Sequence, residues 1–143
     1  MTPVSPAPAA RSTGADLVRV LSGQVGKPYI TNGETTKGFD CSGFLTWGLK
    51  QVGGPKIPSY TVDQFKLGRP VDIKNLRVGD AIFFRVPNEP VPGHVAIFAG
   101  RDKAGVPRVV NAANHATGVV NQPLSHWTNA YPVLGVRRYL PSR

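Results

Sequence analysis

The hydrophobic pattern changes period once along this chain, and that single change narrows the fold more than any other feature. In the first half the apolar residues recur at helical spacing: Leu17, Val18, Val20, Leu21 and Val25 share one side of an amphipathic helix over 15–25, ended by Gly26 and Pro28. A polar loop from Thr31 to Gly38 follows, and Phe39-Asp40-Cys41-Ser42-Gly43 leads into a second helix that Gly53-Gly54-Pro55 closes. A short helix covers 61–67. Beyond that the apolar residues fall into short runs bounded by Gly, Pro, Asn and Asp, which predict strands over 81–85, 94–99, 106–112, 118–121 and 133–140. Helices first and strands afterwards, joined by short connections, give an α+β domain. Its N-terminal helices pack on a mostly antiparallel sheet of about five to six strands.

The 143 residues suit one domain with a core of its own. Residues 1–13 are mostly Pro, Ala, Ser and Thr and read as a flexible N-terminal segment, which leaves 14–143 as the folded unit. The start lacks the basic-then-apolar pattern of a secretory leader, so work outside the cytoplasm would imply an export signal removed or bypassed. No run approaches the roughly 20 apolar residues of a membrane-spanning helix, so no membrane insertion is expected. One cysteine excludes an internal disulfide framework and a four-cysteine zinc site. Together with three scattered histidines it offers no metal-ligand spacing, and neither a metal nor another cofactor is expected. Seventeen Lys and Arg against eight Asp and Glu give a formal charge of +9, which favours anionic partners. Zinc-finger, RNP and basic-helix patterns are all missing, so specific nucleic-acid binding is not expected. A monomer is.

The lone Cys41 stands where a helix begins, with Asp40 or Cys41 itself at the cap. Unpaired backbone N–H groups and the positive end of the helix dipole favour a thiolate there. Leu45, Gly48, Leu49 and Val52 fall on the sulfur's side of the helix and Thr46 and Lys50 opposite, so the sulfur faces the domain. Gly48 on that side leaves room for another element. A sulfur nucleophile needs a base, and the base needs an orienting partner. Of the three histidines, His94 opens an apolar strand at its end, where a side chain reaches a cleft. A hairpin turning at Asp102-Lys103 would set Asn111 directly opposite His94 on the same face. Cys41, His94 and Asn111 thus form a candidate catalytic triad; His115, past the strand end, is the second choice as orienter. Trp127 and His126 read as cover for a sheet edge, and Trp47 as packing.

Gly26-Lys27-Pro28-Tyr29, Gly38-Phe39-Asp40-Cys41-Ser42-Gly43-Phe44, Val78-Gly79-Asp80-Ala81-Ile82-Phe83-Phe84 and Gly93-His94-Val95-Ala96-Ile97-Phe98-Ala99-Gly100 together resemble the successive signatures of the NlpC/P60 cysteine peptidases. They occur in the right order over about residues 15–140. The resemblance implies a papain-like fold and cleavage of an amide bond in peptidoglycan stem peptides, usually D-glutamyl to diamino acid. It matches Cys41 to the nucleophile, His94 to the base and Asn111 to the third polar residue. Tyr29 and the Cys41 backbone N–H match the oxyanion donors. Asp40 and Ser42 match positions that bind the stem peptide's amino end, and Ser59 and Gly93 complete the expected substrate contacts. Thr31-Asn32-Gly33 stands where members often have Trp-Gly-Gly, and Ile57-Pro58-Ser59 where many have Leu-Pro-Arg; both departures bear on specificity. The expected partners are stem peptides and the anionic cell-wall surface, in the periplasm or outside the cell. A muramoyl-alanine amidase with the same triad and a non-catalytic wall-binding module are the alternatives.

Overall fold

The computed structural model describes residues 12–141. Most of the segment expected to be flexible, residues 1–11, therefore lies outside the described residues. Ser12 and Thr13 are tied in: the Ser12 hydroxyl donates to the Val52 carbonyl, and Thr13 caps the first helix. The Thr13 N–H donates to Asp16 Oδ2 at 2.9 Å while the Asp16 N–H donates back to the Thr13 hydroxyl at 3.4 Å, a reciprocal capping box.

That helix, α1, is Gly14–Ser22 and stops short of residue 25. Gln24 and Val25 donate to carbonyls three residues back, and the Gly26 N–H leaves the helix for the Val119 carbonyl at 2.9 Å. A distant strand has captured the backbone, so Val25 ends 49% exposed instead of extending the buried stripe. The Val119 N–H returns the bond to the Lys27 carbonyl at 2.9 Å. Two short strands, β1 (Glu34–Thr35) and β2 (Gly38–Phe39), pair into a small antiparallel ribbon that the polar loop did not announce. Helix α2 (Cys41–Gln51) follows. As the glycine on its inner side foretold, α1 crosses close: a Cβ on Gly48 would stand 2.5 Å from Leu21 Cδ2. Helix α3 is a single turn, Thr61–Gln64, because Lys66 and Leu67 continue only as tighter turns that bond three residues back.

Six strands form the main sheet. They are β3 (Arg69–Val71), β4 (Ala81–Phe84), β5 (His94–Arg101), β6 (Pro107–Asn114), β7 (Gly118–Pro123) and β8 (Val133–Arg138). Their spatial order is β3-β8-β4-β5-β6-β7, antiparallel throughout, as the order of patterns required. β3 escaped sequence reading because it contains Pro70, which is tolerated only at an edge, and an edge is where it lies. One more single turn, α4 (Ser125–Thr128), connects β7 to β8.

Both faces of the sheet are covered. Phe83, Val95, Ile97, Val110 and Ala112 pack with Leu17, Leu21, Phe44, Leu45 and Leu49 of the helices. On the other face Ile82, Phe84, Ala96, Phe98, Val109 and Val136 pack with Trp127. Two buried faces explain why β4 and β5 read as unbroken apolar runs without strict alternation. Among the described residues no helix is long and apolar enough to cross a membrane.

The β5–β6 hairpin corrects the expected register. Ile97 faces Val110 and Phe98 faces Val109, two residues beyond the expected pairing. The reason is the turn: Asp102 Oδ1 accepts from the N–H groups of Ala104 and Val106, and Gly105 takes a φ of +81°, which builds a longer loop. Side chains alternate along a strand, so a shift of two keeps His94 and Asn111 on one face.

Candidate active site

The helix start at Cys41 is built by Asp40. One carboxylate oxygen accepts from the Gly43 N–H at 2.6 Å, capping α2, and the other from the Asn32 N–H at 2.9 Å. Gly43 is glycine because a Cβ there would sit 2.0 Å from the Gly33 carbonyl oxygen. The Ser42 hydroxyl lies 3.2 Å from Asp40 Oδ1 and 3.1 Å from the Ser59 carbonyl, which ties the 57–60 segment to the helix. Gln64, fully buried, reinforces this tie by donating from Nε2 to the carbonyls of Ser42 and Pro58, each at 2.9 Å. Sequence reading passed over Gln64, since a glutamine in a polar turn gives no sign of burial.

Cys41 keeps 9% of its surface exposed, and its sulfur faces the backbone N–H of Val95, the residue after His94. The helix start thereby meets the end of β5 that carries the imidazole. Burial pushes the Cys41 thiol up to about 12, against the opposing pull of the Val95, Ser42 and Cys41 N–H groups. Desolvation thus works against the helix terminus, which by itself favours a thiolate here.

His94, 4% exposed, meets Asn111, 1% exposed, with Nε2 and Oδ1 2.8 Å apart. Burial holds His94 down at about 4, although the Asn111 bond favours the charged ring. Trp127 stacks on the imidazole at 3.7 Å between centroids and 17° between planes. Gln122 Oε1 accepts from Asn111 Nδ2 at 3.0 Å and from Trp127 Nε1 at 2.9 Å. Sequence reading passes over Gln122 and does not reveal this role of Trp127. Gln122 lies near a strand end with nothing to mark it, and Trp127 reads as sheet cover.

Tyr29 also stands beside the nucleophile. Its oxygen faces the Cys41 backbone N–H, so the two expected oxyanion donors are neighbours. Burial and the adjacent Cys41 push the phenol up to about 12, which keeps it a hydroxyl donor at neutral pH. His115 lies against it, edge-on at 4.7 Å, with Nε2 3.4 Å from the Thr31 hydroxyl, while the bond to His94 belongs to Asn111. Gly93, just before the imidazole, donates its N–H to the Phe84 carbonyl at 3.0 Å. Among the described residues no group of three or more His, Cys, Asp or Glu is placed to hold a metal ion.

The assembled groups can perform acyl transfer: a sulfur, a neutral imidazole with an orienting amide, and two donors for an oxyanion. The model of the NlpC/P60 family matches residues 26–138. Murein DD-endopeptidase MepS/Murein LD-carboxypeptidase of Escherichia coli is 33% identical over 110 residues, covering 74% of this chain and 53% of that protein. Gamma-D-glutamyl-L-lysine dipeptidyl-peptidase of Bacillus subtilis is 31% identical, covering 65% of this chain and 31% of that protein. A crystal structure of an NlpC/P60 family protein from Bacillus cereus superposes with a TM-score of 0.77 at 31% identity, covering 92% of this chain and 41% of that one. The chain spans about half the length of the first curated relatives it matches.

Proposed function

Because the chain belongs to the NlpC/P60 family, we propose that it is a cysteine peptidase cleaving an amide bond in peptidoglycan stem peptides, that between D-glutamate and the following diamino acid. The observation that carries this reading is the meeting of the capped Cys41 helix start with the strand end holding the His94–Asn111 pair. The Bacillus subtilis relative is named for a γ-D-glutamyl bond and the Escherichia coli relative for both DD-endopeptidase and LD-carboxypeptidase activity, which makes those bonds the competing choices.

The resting pair is a thiol and a neutral imidazole, so attack and proton transfer are coupled. As the Cys41 sulfur bonds to the scissile carbonyl carbon, its proton passes to His94. The Tyr29 hydroxyl and the Cys41 N–H then donate to the oxyanion, an interaction worth about 3 kcal/mol per donor. The imidazolium gives its proton to the leaving amine, the C–N bond breaks, and a thioester remains. Water then attacks with His94 as base and restores the thiol. Asp40 and Ser42 flank the nucleophile, the Ser59 carbonyl is hydrogen-bonded to Ser42 and Gly93 precedes His94, and these four take the role of substrate rim. The +9 charge concentrates the protein on an anionic wall, an attraction that salt screens.

Digestion of purified peptidoglycan by wild type and Cys41→Ala, with mass spectrometry of the products, tests the reading. Fragments with a new amino-terminal diamino acid, released by wild type only, are expected. Intact stem peptides freed from muramic acid would make the protein an amidase. No release by either protein would leave a wall-binding module and overturn the proposal.

A further inference from the structure

A chain of hydrogen bonds behind the imidazole has only one possible polarity. An indole N–H donates and never accepts, so the Gln122 atom 2.9 Å from Trp127 Nε1 must be its oxygen. That same oxygen stands 3.0 Å from Asn111, which must therefore present its NH₂. The Asn111 oxygen is then turned towards His94 at 2.8 Å, and His94 Nε2 must carry a proton to complete the bond. In a neutral ring this leaves Nδ1 bare. The direction of every bond follows from the one group that cannot reverse.

We infer that Gln122 and Trp127 are positioning residues that fix the tautomer of His94, and that Asn111 alone would leave it undetermined. An amide can turn either its oxygen or its NH₂ to the ring, and the two orientations select opposite tautomers. A carboxylate in that place would need no such help, because it offers acceptors only. The use of Asn111 as orienter thus creates a requirement that Gln122 and Trp127 meet. Trp127 serves twice, since its ring also lies parallel to the imidazole and restricts rotation. The inference rests on the acyl-transfer reading only for its kinetic consequence; the protonation pattern belongs to the resting protein.

Substitutions at Gln122 form a polarity series. Gln122→Glu keeps an acceptor for both neighbours, Gln122→Met keeps the shape and removes the acceptor, and Gln122→Lys offers only donors, which turns Asn111 around. The ¹⁵N NMR signals of the His94 ring are to be read at neutral pH in the full chain, together with kcat and KM on soluble muropeptides. Wild type and Gln122→Glu are expected to hold the proton on Nε2. Gln122→Met should show both tautomers and lose up to tenfold in kcat. Gln122→Lys should place the proton on Nδ1 and lose at least a hundredfold, with KM nearly unchanged throughout. A merely structural role would rank the variants differently, with the isosteric methionine mildest and the two charged residues alike.

A wild-type ring protonated on Nδ1 would overturn the inference without any variant, and so would equal losses in Gln122→Glu and Gln122→Lys. If wild type carries the Nε2 proton but cleaves no muropeptide, the peptidoglycan reading fails while the tautomer assignment stands.

Discussion

Acid should unfold this protein partly through one residue. His94 is held at about 4 in the folded chain because charging it would put a cation in a buried site. The ordinary histidine value is about 6.5, so the unfolded chain takes up its proton first as the pH falls. The stability from keeping the ring neutral is fully present above pH 6.5 and drains away down to about pH 4. Each unit of separation is worth about 1.4 kcal/mol. Between pH 7 and pH 4.5 the loss from this residue comes to roughly 2 kcal/mol. Carboxylates titrate in the same range, so the measurement must be differential: urea unfolding of wild type and His94→Gln across those pH values. Part of the depression comes from the neighbouring His126, an interaction that exists only while His94 is present and so belongs to the differential signal. The variant should start less stable and show a curve flatter by that amount. Parallel curves would refute the argument, for they would mean that His94 is charged, or solvated, in the native state.

The Cys41 thiol offers a second test. With the group pushed up to about 12, alkylation by iodoacetamide should be slow at pH 7 and still rising tenfold per unit at pH 9. A plateau near neutrality would reveal a thiolate. Asp40→Ala removes the acceptor for the Gly43 and Asn32 N–H groups and should cost about 2 kcal/mol in chemical denaturation. It should lower kcat as well, since the same cap aims Cys41; unaltered kcat would separate the two roles. Asp80, 1% exposed, accepts from Arg138 through both oxygens, at 2.7 and 2.8 Å. Arg138→Met removes both of those bonds, leaving the Arg77 N–H on Oδ2 at 2.8 Å, and should cost about 3 kcal/mol, whereas pairing it with Asp80→Asn should restore much of the loss. Equal stability of the single and double variants would count against it.

How much was legible depended on the range of the forces involved. The helix at Cys41 could be read because its signals are local: a cap, a glycine three residues on, and apolar residues on one side. The pairing of His94 with Asn111 survived an error in register, since parity alone decides the face and the error was even. The end of α1 was misread because its cause is remote, a strand carbonyl at Val119 that takes the Gly26 N–H. β3 was hidden by Pro70, whose rule depends on knowing which strand lies at the edge. Gln122 and Trp127 became visible only in three dimensions, since their meaning lies in who donates to whom. The protonation of Cys41 was read from the helix terminus, while the opposing effect of burial needs the surrounding packing.

The bonds between the 26–27 segment and Val119 have a wider reach than their number suggests. An outer strand with open amides is a template on which a second molecule could build. Here the segment covers part of that margin, as Pro70 blunts the other. Two positions later the same stretch delivers Tyr29 to the nucleophile. Protection from self-association and readiness for chemistry therefore share one strip of backbone, and loosening it would forfeit both together.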